Sequence, residues 1–191
     1  MVEVYDNAVT PEWQDKVESH LCHDKFPWFL GSGWNHGTVG STGYTDYIED
    51  NPMLKEYLQM VHTFITNESV ISPHTKLVVE LFKHISKNID LKWQTIYRIK
   101  ANLQPQCNFS QTDFYNTPHL DDRRPHKVAI YYASETDGPL RLFSKEGNKF
   151  TIAQEIEPKR GRLVIFDGNT WHAGRHPVNA IKRIAINFNF I

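Results

Sequence analysis

The chain has 191 residues, 40% of them hydrophobic, 13% aromatic and 23% charged, a length that suits one domain burying roughly 70% of the surface its unfolded form exposes. Its 21 Lys+Arg against 22 Asp+Glu leave a formal net charge of -1, without the basic excess of a protein that grips phosphate backbones, which demotes nucleic acid as a partner. No apolar run approaches the roughly 20 residues that cross a membrane.

The opening stretch MVEVYDNAVTPEW lacks the basic start and apolar core of a signal peptide. With only Cys22 and Cys107, a disulfide scaffold is excluded and a reducing, cytoplasmic setting is expected. Three segments before residue 90 share one helix-start grammar, Thr10-Pro11-Glu12, Asn51-Pro52 and Ser72-Pro73. In each, a capping side chain precedes a proline whose missing N–H costs nothing in the first turn. The third helix carries Leu77, Leu81, Phe82 and Ile85 at the spacing of one buried face. Between the first two helices, residues 31–50 form a glycine-rich loop with Trp34, Tyr44 and Tyr47, which is either a surface loop or a substrate lid.

After residue 90 the apolar period switches to two. Strands are predicted over 93–103, 112–119, 126–134, 138–144, 149–156, 161–167, 170–174 and 181–190, with turn signals at Asp137-Gly138, Glu146-Gly147 and Asp167-Gly168. Short strands at this spacing read as a β-sandwich or jelly roll, with the helices covering one outer face. No internal repeat or linker interrupts the chain, so residues 1–191 are expected to form one domain, 1–90 mainly helical support and 91–191 the β core.

His119-Leu120-Asp121 is an H-x-D, and on a strand residues i and i+2 project to one side. Two neutral imidazoles and one carboxylate on one face suit Fe(II), leaving the opposite positions open. With ten histidines and 22 acids in the chain, about one such match is expected by chance, so the context decides. Trp171-His172-Ala173-Gly174 follows the apolar run Arg162–Phe166 through a tight Asp167-Gly168 turn, and fifty residues lie between Asp121 and His172, room for the intervening strands to fold back. In the last strand, alternation puts Ile184, Ile186, Phe188 and Phe190 on one face and Arg183, Ala185, Asn187 and Asn189 on the other. An arginine on that second face either meets solvent or points into a polar cavity, where its planar fork would take a carboxylate.

The ordered set His119-x-Asp121, His172 and Arg183 resembles the Fe(II)/2-oxoglutarate-dependent dioxygenases, in particular their prolyl 4-hydroxylase-type branch. The stretches HKVAIYYASETDGPLRLF (126–143), IEPKRGRLVIFDGNTWHAG (156–174) and RIAINFNF (183–190) carry the likeness further, and short stand-alone bacterial and phage-encoded members are similar in extent. The resemblance implies an α+β fold, a double-stranded β-helix (jelly roll) barrel with N-terminal helices packed on one outer face. It implies that His119, Asp121 and His172 ligate Fe(II) as the catalytic metal set, and that Arg183 binds the distal carboxylate of 2-oxoglutarate. Tyr132 matches a position whose hydroxyl often bonds that carboxylate, though a core strand aromatic is an equal reading. Leu140 and Phe166 match positions lining the co-substrate pocket, and ordinary packing would explain both.

Tyr97, Arg98, Lys100 and Asn102 are looser candidates. The last three share one face and would serve substrate or solvent. The implied cofactors are Fe(II), 2-oxoglutarate and O2, with ascorbate as a candidate reductant. The implied reaction is hydroxylation of an unactivated C–H, favoured over halogenation because Asp121 is present where halogenases lack a carboxylate. A peptidyl proline is the first substrate to consider, a free amino acid or other small molecule the second. A non-catalytic cupin-like barrel holding a metal or ligand is the alternative of another class.

Further constellations point nowhere else. Gly31-Ser-Gly33 opens no dinucleotide fingerprint, and neither a phosphate-binding loop nor a G-x-S-x-G elbow occurs. His20 and His23 lack further ligands for zinc and read as surface histidines. Arg123-Arg124 and Lys159-Arg160 read as solvated turns, the first better placed to touch a substrate.

Overall fold

The computed structural model describes residues 1–31, 59–107, 116–147 and 149–191. All of the 31–50 loop but Gly31, the helix start at Asn51-Pro52 and most of the strand predicted at 112–119 lie outside them.

Two helices are present among the described residues, α1 (Pro11–Leu21) and α2 (Thr75–Asn88). Pro11 stands in the first turn of α1 as expected, although the Thr10 side chain makes no capping bond. Helix α2 begins two residues beyond Pro73, and the Ser72 hydroxyl accepts from the His74 N–H at 3.1 Å and lies 2.7 Å from His62 Nε2. Its buried face is Val78, Leu81, Phe82 and Ile85, a set at i, i+3, i+4 and i+7 in which Val78 replaces the expected Leu77.

The strands are β1 (Glu3–Tyr5), β2 (Phe29–Leu30), β3 (Met60–Thr66), β4 (Ser69–Val70), β5 (Ile96–Pro105), β6 (Lys127–Tyr132), β7 (Leu140–Glu146), β8 (Lys149–Ile156), β9 (Leu163–Asp167), β10 (Trp171–Gly174) and β11 (Lys182–Phe190). The first four fall before residue 90, where the sequence reading places no strand. Three of them span only two or three residues, whereas β3 has seven and lies inside the sheet between β5 and β2. One antiparallel sheet runs β1-β9-β6-β11-β5-β3-β2, with β4 hairpinned on β3; a second runs β10-β7-β8. His119 adds a bridge to the free edge of β10, opposite His172.

Alternation along the strands divides the apolar residues into two clusters. On one side of the large sheet, Ile99, Tyr131, Ile165, Ile186 and Phe188 pack with Val17 and Leu21 of α1 and Leu81 and Phe82 of α2. Phe82 stacks on Phe188 with ring centroids 4.8 Å apart, and each such buried side chain stabilises by roughly 1.5–3 kcal/mol. Between the sheets, Val128, Ile130, Tyr132, Leu140, Leu142, Val164 and Phe166 form the second cluster. The helices thus cover one outer face and the sandwich encloses a separate interior, as a jelly roll requires. The Lys159–Arg162 turn is not merely solvated: Arg160 pairs with Asp15 and Glu18, and Arg162 with Asp6, fastening the turn to the N-terminal segment.

Candidate active site

The interior is apolar where β6, β7 and β9 line it and polar where β5 and β11 do. In the antiparallel register Arg98 faces Asn189, Lys100 faces Asn187, Asn102 faces Ala185 and Gln104 faces Arg183. Because β5 also sends Ile99 and Ala101 to the helix side, its even-numbered residues must all point between the sheets. The resulting polar stripe ends against the histidines of β10 and the H-x-D segment.

His119, Asp121 and His172 offer ligand atoms that all lie within 4.8 Å of one another. Their backbones are fixed first: His119 and His172 exchange N–H···O bonds of 3.0 and 3.1 Å. Each ring is then oriented by its Nδ1–H, which donates to the carbonyl two residues earlier, His119 to Thr117 at 3.0 Å and His172 to Thr170 at 3.0 Å. That fixes the tautomer and leaves both Nε2 lone pairs facing Asp121, the arrangement a metal-binding imidazole needs. His172 Nε2 lies 3.6 Å from Asp121 Oδ2, and Phe166 packs edge-on against the His172 ring at 4.9 Å. Loss of water around His119, with His172 facing it, pulls its imidazole down to about 3 despite the attraction of Asp121. It is neutral at physiological pH.

Asp121 is held from behind. Burial alone would raise its carboxyl, but Arg98, His172 and His119, together with Asn187, hold it well below the usual carboxylate range. Arg98 Nη1 donates to Oδ1 at 2.9 Å, and Asn187 and Asn189 donate to Oδ2 at 2.7 and 3.0 Å. The alternation of β5 and β11 puts these residues on the right faces, but only the strand register brings them to one carboxylate. Three carboxamides, Gln59, Gln104 and Asn116, join the lining without having been foreseen. Gln104 lies just past the predicted end of its strand, and Gln59 precedes a strand that sequence reading did not see.

Arg183 lies at the other end of the same pocket, 4% exposed. Its Nε donates to Gly138 O and its Nη1 to Gln104 Oε1, both at 2.9 Å, and its guanidinium lies over the Tyr132 ring, 5.1 Å from the centroid. No carboxylate pairs with it among the described residues. The Tyr132 hydroxyl is buried without a hydrogen-bond partner among the described residues; burial pushes this phenol up, against the pull of Arg183. A buried guanidinium lacking an anion beside an orphan hydroxyl suits a carboxylate ligand. Leu140 lines the pocket, whereas Phe166 stands behind His172. Lys100 also lines it, and burial with Arg98 close by pulls its ammonium down to about 7. Asn102 is engaged by Gln59 at 3.1 Å.

Other sequence candidates fall elsewhere. Tyr97 is buried beneath Arg124, whose guanidinium is 4.4 Å from the ring centroid, and Arg123 lines a separate outer cleft with Arg124, His126 and Asp167. His20 is not a surface histidine: its Nε2 is 3.0 Å from His74 Nδ1, within an aromatic cluster that includes Phe26 and His62. His23 is exposed.

Two imidazole nitrogens and one carboxylate, with an anion site across the pocket, are a donor set suited to Fe(II) and a dicarboxylic co-substrate. A family model described as the 2OG-Fe(II) oxygenase superfamily matches residues 105–191. This part of the chain belongs to that superfamily. The protein is therefore a dioxygenase-class enzyme whose cofactors are Fe(II), 2-oxoglutarate and O2. No curated protein matches the chain by sequence.

Solved 2OG-Fe(II) oxygenases share its fold. A Burkholderia pseudomallei oxidoreductase of the 2OG-Fe(II) oxygenase family aligns with a TM-score of 0.66 at 10% identity, covering 99% of this chain and 84% of its own. A Pseudomonas putida prolyl-4-hydroxylase gives 0.57 at 14% identity, over 99% and 91%. A Trichoplax adhaerens prolyl hydroxylase, in complex with a peptide fragment of the hypoxia inducible factor oxygen degradation domain, gives 0.58 at 12%, over 100% and 83%. At such identities the likeness is one of fold. Among the described residues no helix is long and apolar enough to cross a membrane.

Proposed function

We propose that this 2OG-Fe(II) oxygenase hydroxylates an unactivated C–H of a peptidyl proline, with His119, Asp121 and His172 holding the metal and Arg183, backed by Tyr132, holding the distal carboxylate of 2-oxoglutarate. The observation that carries the reading is that the three ligand atoms and the buried Arg183, which meets no carboxylate among the described residues, line one pocket. The bound metal and 2-oxo acid supply the oxidising power, one oxygen atom of O2 going to succinate with loss of CO2 and the other to the C–H bond. The chain supplies geometry. Thr117 and Thr170 aim the histidines, Arg98 with two asparagines fixes the carboxylate, and the apolar wall around Leu140 and Ile130 limits water beside the co-substrate.

The packing of α1 and α2 into the outer core supports residues 1–191 working as one oxygenase unit, and two free thiols, Cys22 and Cys107, suit a reducing cytoplasmic setting. The prolyl choice draws support from the two prolyl hydroxylases of like fold, one of them peptide-bound. A second reading, a free amino acid or other small polar substrate, is favoured by the carboxamides of Gln59, Asn102, Gln104 and Asn116 in the pocket wall.

The test is an anaerobic titration of apo-protein with Fe(II) and then 2-oxoglutarate, followed by visible absorption, with His172→Ala and Arg183→Ala alongside. A weak charge-transfer band should appear, vanish in the first variant and require more co-substrate in the second. Metal binding without a band would leave a non-catalytic metal-holding barrel. Proline-containing peptides are then scored for a mass gain of one oxygen against free amino acids in the same assay, separating the two substrate readings.

A further inference from the structure

Lys100 has no role in the scheme above. It stands on the inward face of β5 between Arg98 and Asn102, opposite Asn187 of β11. The residue is 4% exposed and lines the pocket of the metal ligands, yet no hydrogen-bond or carboxylate partner meets its ammonium among the described residues. Burying an ammonium without a partner is costly. Asp121, whose charge it feels, is already engaged, Oδ1 by Arg98 and Oδ2 by Asn187 and Asn189.

We propose that Lys100 binds the carboxylate at the metal end of the bound 2-oxo acid, so that the dianion is held by a cation at each end. This rests on the reading given under Proposed function.

Strand geometry separates the two cations. Lys100 pairs with Asn187 and Arg183 with Gln104, four residues apart along each strand, roughly 13 Å at the usual rise. Arg183 is pinned at its own end by Gly138 O and Gln104 Oε1. Lys100 instead feels Arg98 and Asp121 and contributes to the field at His119, all at the metal end. One carboxylate does not serve both. A 2-oxo acid chelating through its carboxylate and keto oxygens leaves the outer carboxylate oxygen to be met by a donor from the wall. An ammonium drawn down to about 7 by burial gains most from an anion placed there.

The same chemistry could come from a carboxylate on the substrate, and the experiment separates the two sources. Mn(II)-loaded protein is titrated calorimetrically with 2-oxoglutarate and with 2-oxobutyrate, which keeps the 2-oxo acid end and lacks the distal carboxylate. Lys100→Met should raise Kd at least tenfold for both acids and by a similar factor, with Lys100→Arg recovering part of the loss and the Mn(II) affinity measured in each variant. Arg183→Met should weaken 2-oxoglutarate alone. Unchanged affinity for both acids in Lys100→Met overturns the proposal and gives Lys100 to a substrate carboxylate. Weakening of 2-oxoglutarate alone overturns it in favour of the distal end. Wild-type protein that binds Mn(II) but neither acid would instead remove the co-substrate reading itself.

Discussion

Arg98 reaches across the barrel interior to Asp121, Nη1 to Oδ1 at 2.9 Å, with the two side chains only 11% and 2% exposed. One oxygen of the carboxylate proposed to hold the metal thus already carries a full ion pair. Removing one partner from a buried pair leaves an uncompensated charge and costs about 3–5 kcal/mol. Arg98→Met should lower apo-protein stability by about 3 kcal/mol in urea unfolding. A divalent ion restores positive charge beside Asp121, so the loss should shrink when the variant is loaded with Mn(II). Equal losses with and without metal would mean that Arg98 matters only for packing. Because Asp121 sits below its unfolded value near 3.9, its contribution is complete at neutral pH and is lost only as pH falls below about 4.

Arg183 presents the opposite case, a buried cation with no carboxylate among the described residues. Replacing such a charge by an apolar side chain of similar length is often neutral or stabilising. Arg183→Met should therefore keep apo stability to within about 1 kcal/mol, since two hydrogen bonds are lost but the desolvation is relieved. What it should lose is the rise in melting temperature that 2-oxoglutarate gives the metal-loaded wild type. A ligand-induced rise of undiminished size in the variant would take the carboxylate away from Arg183.

Gly174 sits against the same guanidinium. A Cβ there would lie 3.1 Å from both Nη1 and Nη2 of Arg183, so a few tenths of an ångström of displacement would accommodate it. Gly138 is less forgiving, since its Cβ would meet the Arg175 carbonyl oxygen at 2.3 Å. Gly174→Ala should spare the fold and weaken 2-oxoglutarate about tenfold, misplacement of a binding group being costly in a preorganised site. Gly138→Ala should unfold at lower urea. Paired titration and denaturation curves check both, and an unchanged Kd in Gly174→Ala would show that the guanidinium does not need its present position.

The β core was legible because alternation is a local property. Strands β6 to β11 begin and end within two residues of their predicted limits, and the two faces of β11 sort as Arg183, Ala185, Asn187 and Asn189 inward and Ile184, Ile186, Phe188 and Phe190 outward. The N-terminal strands were not, since β1, β2 and β4 span two or three residues each, too short for any period to register. The Arg98–Asp121 pair was out of reach for another reason. Faces can be read from one strand, whereas partners depend on the register between β5 and β11, which a single sequence does not carry. Gly138 looked like a turn signal, but its requirement is the approach of Arg175 and Arg183, visible only once the chain is folded.

His62, on β3, ties the segments that follow α1 and precede α2 to the large sheet and sets a pH limit. It is 3% exposed, its Nδ1–H donates to Pro27 O at 2.7 Å, and its Nε2 accepts from the Ser72 hydroxyl at 2.7 Å. Burial holds its pKa below the ordinary value against the pull of the Pro27 carbonyl, and His74 adds to the depression. His20, packed against the same group, is lowered by burial and by His74 as well. Both rings are harder to protonate in the fold than in the unfolded chain, which takes up protons below about pH 6.5. The unfolded state then binds more protons, so stability rises with pH in this window and is lost as pH falls through it. Metal-free protein should show a falling urea midpoint from pH 7 to 5.5. His62→Asn keeps a donor for Pro27 O and removes one titrating ring. It should cost about 1–3 kcal/mol at pH 7.5 through the stranded Ser72 hydroxyl, and flatten the slope by up to about 1.4 kcal/mol per pH unit. A slope identical to wild type would place the acid sensitivity in other histidines.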